Sequence, residues 1–152
     1  MDTEFWKKRW ETNQVGWHAA ETNKHLKRFG SRLGASLGDW TLVPLCGKSM
    51  DMEYLASEKH KVVGIDLSPI ACRAFFAETE RTYTERKTGA LTFFESEDVV
   101  LVCGDVFTVM RADLPPLEAC YDRACLVALT PEQRRRYVSW LASILPSGAR
   151  LL

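Results

Sequence analysis

The sequence predicts an α/β fold, a Rossmann-like doubly wound sheet with helices on both faces. Two stretches carry that expectation. Trp40-Thr41-Leu42-Val43-Pro44-Leu45-Cys46-Gly47-Lys48-Ser49 reads as a short buried strand that ends in a tight turn and opens a helix. Further on, Val62-Val63-Gly64-Ile65-Asp66 reads as a second strand ending in an acid. A strand, a glycine turn, a helix and a strand-end carboxylate form the nucleotide-cradling half of such a fold.

Taken in order, the chain starts with an aromatic segment. Trp6 and Trp10 fall on one helical face at i, i+4. Asn23 to Phe29 reads as a second short helix with Leu26 inward, and residues 30–39, with three glycines, as a connection. Strand one spans Thr41–Leu45, and Ser49–Glu58 is helical. Strand two spans Lys61–Asp66. Ser68 then caps a helix that has Pro69 at its first position and runs to about Glu80. Residues 81–90 are polar and expected to be a loop. Ala90–Glu95 and Val99–Cys103 form a hairpin around Ser96-Glu97-Asp98, and Val106–Met110 is a short turn or helical piece. Leu117–Asp122 is the next strand. Thr130-Pro131-Glu132-Gln133 starts a helix that runs to Leu145, and Ala149–Leu152 begins a strand. The expected organisation is a single domain over 1–152, with residues 1–39 as an aromatic lid and connection and 40–152 as the nucleoside-binding core. The last strand looks unfinished, so further C-terminal strands are expected to be missing.

Bulk properties narrow the function. The 152 residues suit one domain, and 46% hydrophobic with 26% charged residues is ordinary for a globular protein. A formal net charge of zero gives no basic field for a nucleic-acid backbone. No apolar run is long enough to span a bilayer, and the N-terminus lacks a signal-peptide core, so a cytoplasmic protein without membrane contact is expected. The five cysteines include no C-x-x-C pair, which favours buried thiols over disulfides and gives no metal site.

The candidate site lies at strand ends. The turn at Gly47 lets backbone amides approach a ligand, and Ser68 follows the second strand end. Asp66 is placed to accept from both hydroxyls of a ribose, the alternative being a partner for the next helix N-terminus. Asp105 can accept from an adenine amine while Val106 packs on the ring; equally, Asp105 can be a turn-forming Asp after Gly104. Trp10 and Trp17 flank a polar loop and suit a lid over a ligand, whereas Trp6 reads better as a core plug. Gly47-Lys48-Ser49 imitates the tail of a phosphate-binding loop, but position 42 is Leu, and no G-x-G-x-x-G is present. One turn glycine without a phosphate nest suits a nucleoside that carries no phosphate. S-adenosylmethionine is such a ligand, and its sulfonium suits an aromatic lid. A nicotinamide-dependent oxidoreductase would need the missing phosphate cradle; a non-catalytic nucleoside-binding module is the other reading.

The chain resembles the bacterial thiopurine S-methyltransferases. The resemblance rests on Phe5-Trp6…Arg9-Trp10, Gly16-Trp17-His18, Val43-Pro44-Leu45-Cys46-Gly47-Lys48-Ser49 with Asp51-Met52, Val62–Ser68 with Phe75-Phe76, and Tyr121-Asp122-Arg123 leading into Leu126-Val127-Ala128-Leu129. It implies a cytoplasmic, detoxifying enzyme, acting as a monomer, that transfers the methyl group of S-adenosylmethionine to sulfur, or to selenium or tellurium, of a small-molecule thiol or thiopurine acceptor. By the same resemblance Trp10 and Trp17 line the cofactor site, Leu45 lends backbone to the methionine end, Asp66 holds the ribose, and Asp105 and Val106 meet the adenine. Arg123 sits near the methyl donor and acceptor, with Asp122 orienting it. His18 is a weak candidate base. The family sheet has seven strands; about five parallel-sheet strands are expected here.

Overall fold

The computed structural model describes residues 2–152. A seven-stranded sheet forms its centre, with spatial order β3-β4-β5-β2-β1-β6-β7. The strands are β1 Trp40–Pro44, β2 Lys61–Asp66, β3 Thr84–Thr88, β4 Leu91–Glu95, β5 Val99–Cys103, β6 Leu117–Cys120 and β7 Arg150–Leu151. β5, β2, β1, β6 and β7 run parallel, while β3, β4 and β5 pair antiparallel. The five expected parallel strands and the expected hairpin, β4 with β5, are therefore present.

The helices are α1 Thr3–Glu11, α2 Lys24–Phe29, α3 Met50–Ser57, α4 Pro69–Glu78, α5 Cys125–Ala128 and α6 Pro131–Ile144. Most of the helices begin at a side-chain cap; α5 follows the left-handed Ala124 without one. Asn23 accepts from the His25 amide, Ser49 from Asp51 and Ser68 from Ala71. Thr130 and Gln133 form a reciprocal capping box ahead of α6. Two apolar layers flank the sheet, because alternate strand residues point to opposite faces. On one side α2, α3 and α4 bury Leu26, Met52, Leu55, Phe75 and Phe76 against Val43, Val62 and Leu101. On the other, α5 and α6 bury Cys125, Tyr137, Trp140 and Ile144 against Leu42, Val63 and Val102. The sheet is thus wound on both faces. All five cysteines are free and buried. No helix among the described residues is long and apolar enough to cross a membrane.

One expectation fails. Residues 81–90 are not a loop, because Thr84–Thr88 forms edge strand β3 against β4. All five of its residues are exposed, so no apolar alternation marks it. It is held by the ladder to β4 and by charge pairs: Arg86 with Glu95 at 2.8 Å and Glu85 with Arg73 at 3.2 Å. The Arg86 guanidinium also lies over the Phe93 ring.

The turn after β1 is packed tightly on β2. A Cβ added at Gly64 would lie 2.7 Å from Cys46 Sγ, 2.7 Å from Leu101 Cδ2 and 2.9 Å from Met52 Sδ. Gly64→Ala is therefore expected to overpack the sheet under α3 and lower unfolding free energy by about 1–3 kcal/mol. Urea denaturation measures it; an unchanged midpoint would contradict this packing.

Candidate active site

The carboxyl ends of β1, β2, β5 and β6 open onto one cavity of about 330 Å³. The turn Leu45–Ser49 follows β1, Asp66–Ser68 follows β2, Gly104–Phe107 follows β5, and Tyr121, Arg123 and Ala124 follow β6; all contribute to its lining. The chain runs outward from β1 to β2 and β5, then returns to the other flank through β6. The strand order reverses there, which is where open α/β sheets bind ligands.

The floor is a closed hydrogen-bonded turn. Leu45 and Gly47 adopt left-handed backbone conformations, with φ of 48° and 53°. The Gly47 amide donates to Asp66 Oδ2 at 2.7 Å, and the Ser68 amide donates to Asp66 Oδ1 at 2.9 Å. Burial raises the Asp66 carboxyl above its ordinary value, while these backbone donors oppose the rise. A carboxylate oxygen has more than one acceptor direction, so these bonds leave acceptor capacity toward the cavity that Asp66 lines.

The roof is aromatic. Trp6, Trp10 and Trp17 all line the cavity. Trp17 meets Trp6 edge-to-face at 5.2 Å and Trp10 edge-to-face at 5.9 Å. Trp10 is buried and Trp17 is 44% exposed, so the cluster runs from protein interior to solvent. A Cβ at Gly47 would stand 3.0 Å from Trp10 Cζ2, which puts roof and floor in near contact at this point. Trp6 is half-buried and belongs to the roof, contrary to its expected place as a core plug. An i, i+4 pair cannot reveal whether its stripe faces a core or a cavity.

Other expected residues fall as follows. Leu45, Gly47, Asp66, Ser68, Asp105, Val106 and Arg123 line the cavity with Trp10 and Trp17. Asp105 is exposed and accepts from the Phe107 amide at 3.0 Å, capping a short 3-10 turn over Val106–Thr108. The turn-forming reading of Asp105 is met, at a position in the cavity lining. His18 also lines the cavity. Burial, then the nearby Lys48 charge, pulls its imidazole below the ordinary value of 6.5.

Asp122 is the correction. It was expected to orient Arg123, but its carboxylate accepts from the Tyr137 hydroxyl at 2.7 Å and the Cys125 amide at 3.3 Å, and it is not among the cavity-lining residues. The acid that accepts from Arg123 Nη1, at 3.0 Å, is Asp51. Asp51 is fully buried and also accepts from the Tyr121 hydroxyl at 2.9 Å and the Asn23 amide at 2.7 Å. Sequence neighbours favoured Asp122. The one available signal was an acid at the second position of α3, next to the buried Met52.

Comparison with known proteins agrees with this geometry. The fold superposes on a Burkholderia thailandensis 1,6-didemethyltoxoflavin-N1-methyltransferase solved with bound S-adenosylhomocysteine, with a TM-score of 0.70 at 16% identity, covering 98% of this chain and 58% of that one. A TehB-like SAM-dependent methyltransferase from Corynebacterium glutamicum matches with a TM-score of 0.63 at 17% identity, over 98% of this chain and 70% of that one. The architecture is that of the S-adenosylmethionine-dependent methyltransferases. Within that class, the family model for thiopurine S-methyltransferase matches residues 1–152. The thiopurine S-methyltransferase of Pseudomonas entomophila (strain L48) is 41% identical over 150 residues, which are 99% of this chain and 69% of the relative. The chain belongs to the thiopurine S-methyltransferase family.

A pH dependence follows from the histidines. His18 and His60 are both held below 6.5, first by burial. Just below that pH the unfolded chain binds more protons than the folded one, so stability falls as pH drops through this window and is unaffected above it. The urea midpoint of the wild type should fall more between pH 6.5 and 5.5, taken as about the span of that window, than that of a His18→Gln/His60→Gln variant. Equal slopes would contradict the burial of the two rings.

Proposed function

We propose that this protein transfers the methyl group of S-adenosylmethionine to the sulfur of a thiopurine or a similar small thiol. The single observation that carries the reading is the cavity itself: a carboxylate floor at the end of β2 beneath a three-tryptophan roof, at the switch point of a methyltransferase sheet. Residues 1–39 serve as lid and connection to a core over residues 40–152, in one domain. The reaction is assigned to the cytoplasm, as detoxification, by a monomer.

The residues fit this cofactor. About 330 Å³ of mostly apolar space, with one buried carboxylate and no glycine-rich phosphate nest, suits a phosphate-free nucleoside bearing a sulfonium. Asp66 is assigned the ribose hydroxyls, Asp105 the adenine amine, Val106 the adenine face, and the Leu45–Gly47 backbone, with Ser68 beside it, the remaining polar edge. The indole faces of Trp10 and Trp17 attract the positive charge. The bound cofactor supplies an electrophilic methyl group on sulfonium.

Positioning is this chain's main contribution. The roof keeps water from the sulfur pair. Arg123 holds the acceptor's negative charge, which favours the thiolate over the thiol. His18, which lines the cavity, is a weak candidate to take a proton from a thiol not already ionised. Catalytic duty is not assigned to Asp122, whose carboxylate is engaged with Tyr137.

S-adenosylhomocysteine at a hundredfold excess over its Kd should stabilise the fold by about 2.7 kcal/mol, read as a rise in Tm. A rise with NAD but none with S-adenosylhomocysteine would overturn the reading. Turnover of 6-thioguanine with labelled cofactor then separates an enzyme from a nucleoside binder. Asp66→Ala should weaken S-adenosylhomocysteine binding by about 1.5–3 kcal/mol, the loss of hydrogen bonds to a charged group. Lys48→Ala, which removes a pair with Glu78, should cost less. Isothermal titration gives both values, and the reverse order would indicate phosphate recognition.

A further inference from the structure

We propose that Asp51 is the positioning residue for Arg123, holding its guanidinium at the cavity while anchoring the end of the lid. The inference rests on the methyl-transfer reading for its kinetic consequence, but not for its geometry. Asp51 is fully buried on the first turn of α3, where the helix N-terminus favours a negative charge. Its two oxygens reach two other parts of the chain. Oδ1 accepts from the amide of Asn23, the cap of α2, 28 residues away in sequence. Oδ2 accepts from the Tyr121 hydroxyl and from Arg123 Nη1, both beyond the end of β6.

That arrangement does more than satisfy a buried acid. The Arg123 side chain is one-third exposed and lines the cavity, where water alone could solvate it in many rotamers. An anchor on a desolvated carboxylate, itself fixed by a second donor, selects one of them. Ala124, left-handed at φ 62°, turns the chain immediately after Arg123 and limits the backbone's freedom to follow the side chain. The α2 cap that follows the tryptophans bonds to the same acid, so lid docking and guanidinium orientation share one charge.

Asp51→Asn tests this in the whole chain, because the amide keeps the shape and an oxygen for Asn23 but loses the charge. Rotation of the Arg123 guanidinium, followed by nitrogen-15 NMR, should be slow in the wild type and about tenfold faster or more in the variant. S-adenosylhomocysteine Kd should stay within about threefold while kcat for 6-thioguanine falls about 10- to 100-fold. In an Arg123→Met background Asp51→Asn should cost nothing further in kcat, since it acts through Arg123. Independent, multiplying losses in the double variant would overturn the proposal, as would unchanged rotation. If the wild type turns over no thiopurine, the functional reading fails, and the rotation rates still decide the role of Asp51. Should Asp51→Asn not fold, the wild-type spectrum decides: an Arg123 that rotates as fast as the exposed Arg135 sinks the assignment, and a slower one upholds it.

Discussion

The bond from the Gly47 amide to Asp66 joins the first two strands where the ligand cavity begins. Its geometry requires both ends. Leu45 and Gly47 both turn left-handed there; Gly47 does so freely, whereas Leu45 holds a conformation that residues with a side chain rarely adopt. The Cys46 amide adds a bond to the Ile65 carbonyl, so the turn lies flat on its neighbour strand. Gly64 lets Cys46 and Met52 settle where a side chain would stand. The floor is thus rigid because packing beneath it leaves no alternative position.

Rigidity below contrasts with layering above. The roof comes from one short helix and the loop after it, and its rings touch edge-to-face rather than interlocking with the sheet. Its most exposed ring is Trp17. A site built this way can admit a ligand through the roof while the floor keeps its shape. The buried acid at the start of α3 links the layers, since it bonds to the chain just beyond the tryptophans and to the chain just beyond β6.

Most of the fold was legible because its elements carry local signals. Ser68-Pro69 and Thr130-Pro131 start helices by capping chemistry, and the strands at Val62 and Val99 are apolar runs buried on both faces. β3 was not legible, since Thr84–Thr88 buries nothing and owes its conformation to β4. The cavity's strand-end residues were readable from topology alone: Asp66 ends one parallel strand, and Asp105 and Arg123 follow two others. The partner of Arg123 was not. Asp122 stands next to it in sequence, but its carboxylate is taken by the Tyr137 hydroxyl and the Cys125 amide. The acid that does meet Arg123 is 72 residues away. Trp6 was misread for a related reason, as one stripe on α1 serves cavity and core alike.

The unread strand has its own effect. An outermost strand ordinarily offers its bare peptide groups to any extended segment of another molecule. Along β3, Glu85, Arg86 and Lys87 stand exposed, and two of them are tied into ion pairs. That fence discourages fibril-like stacking from this flank at high concentration. Its turn at Gly89 is exposed and lies at the cavity end of the sheet, because β4 begins beside Gly104, which lines the cavity. A dye or an inserted peptide tag is better carried at Glu97, exposed in the β4–β5 turn at the opposite end of the sheet, away from the chemistry.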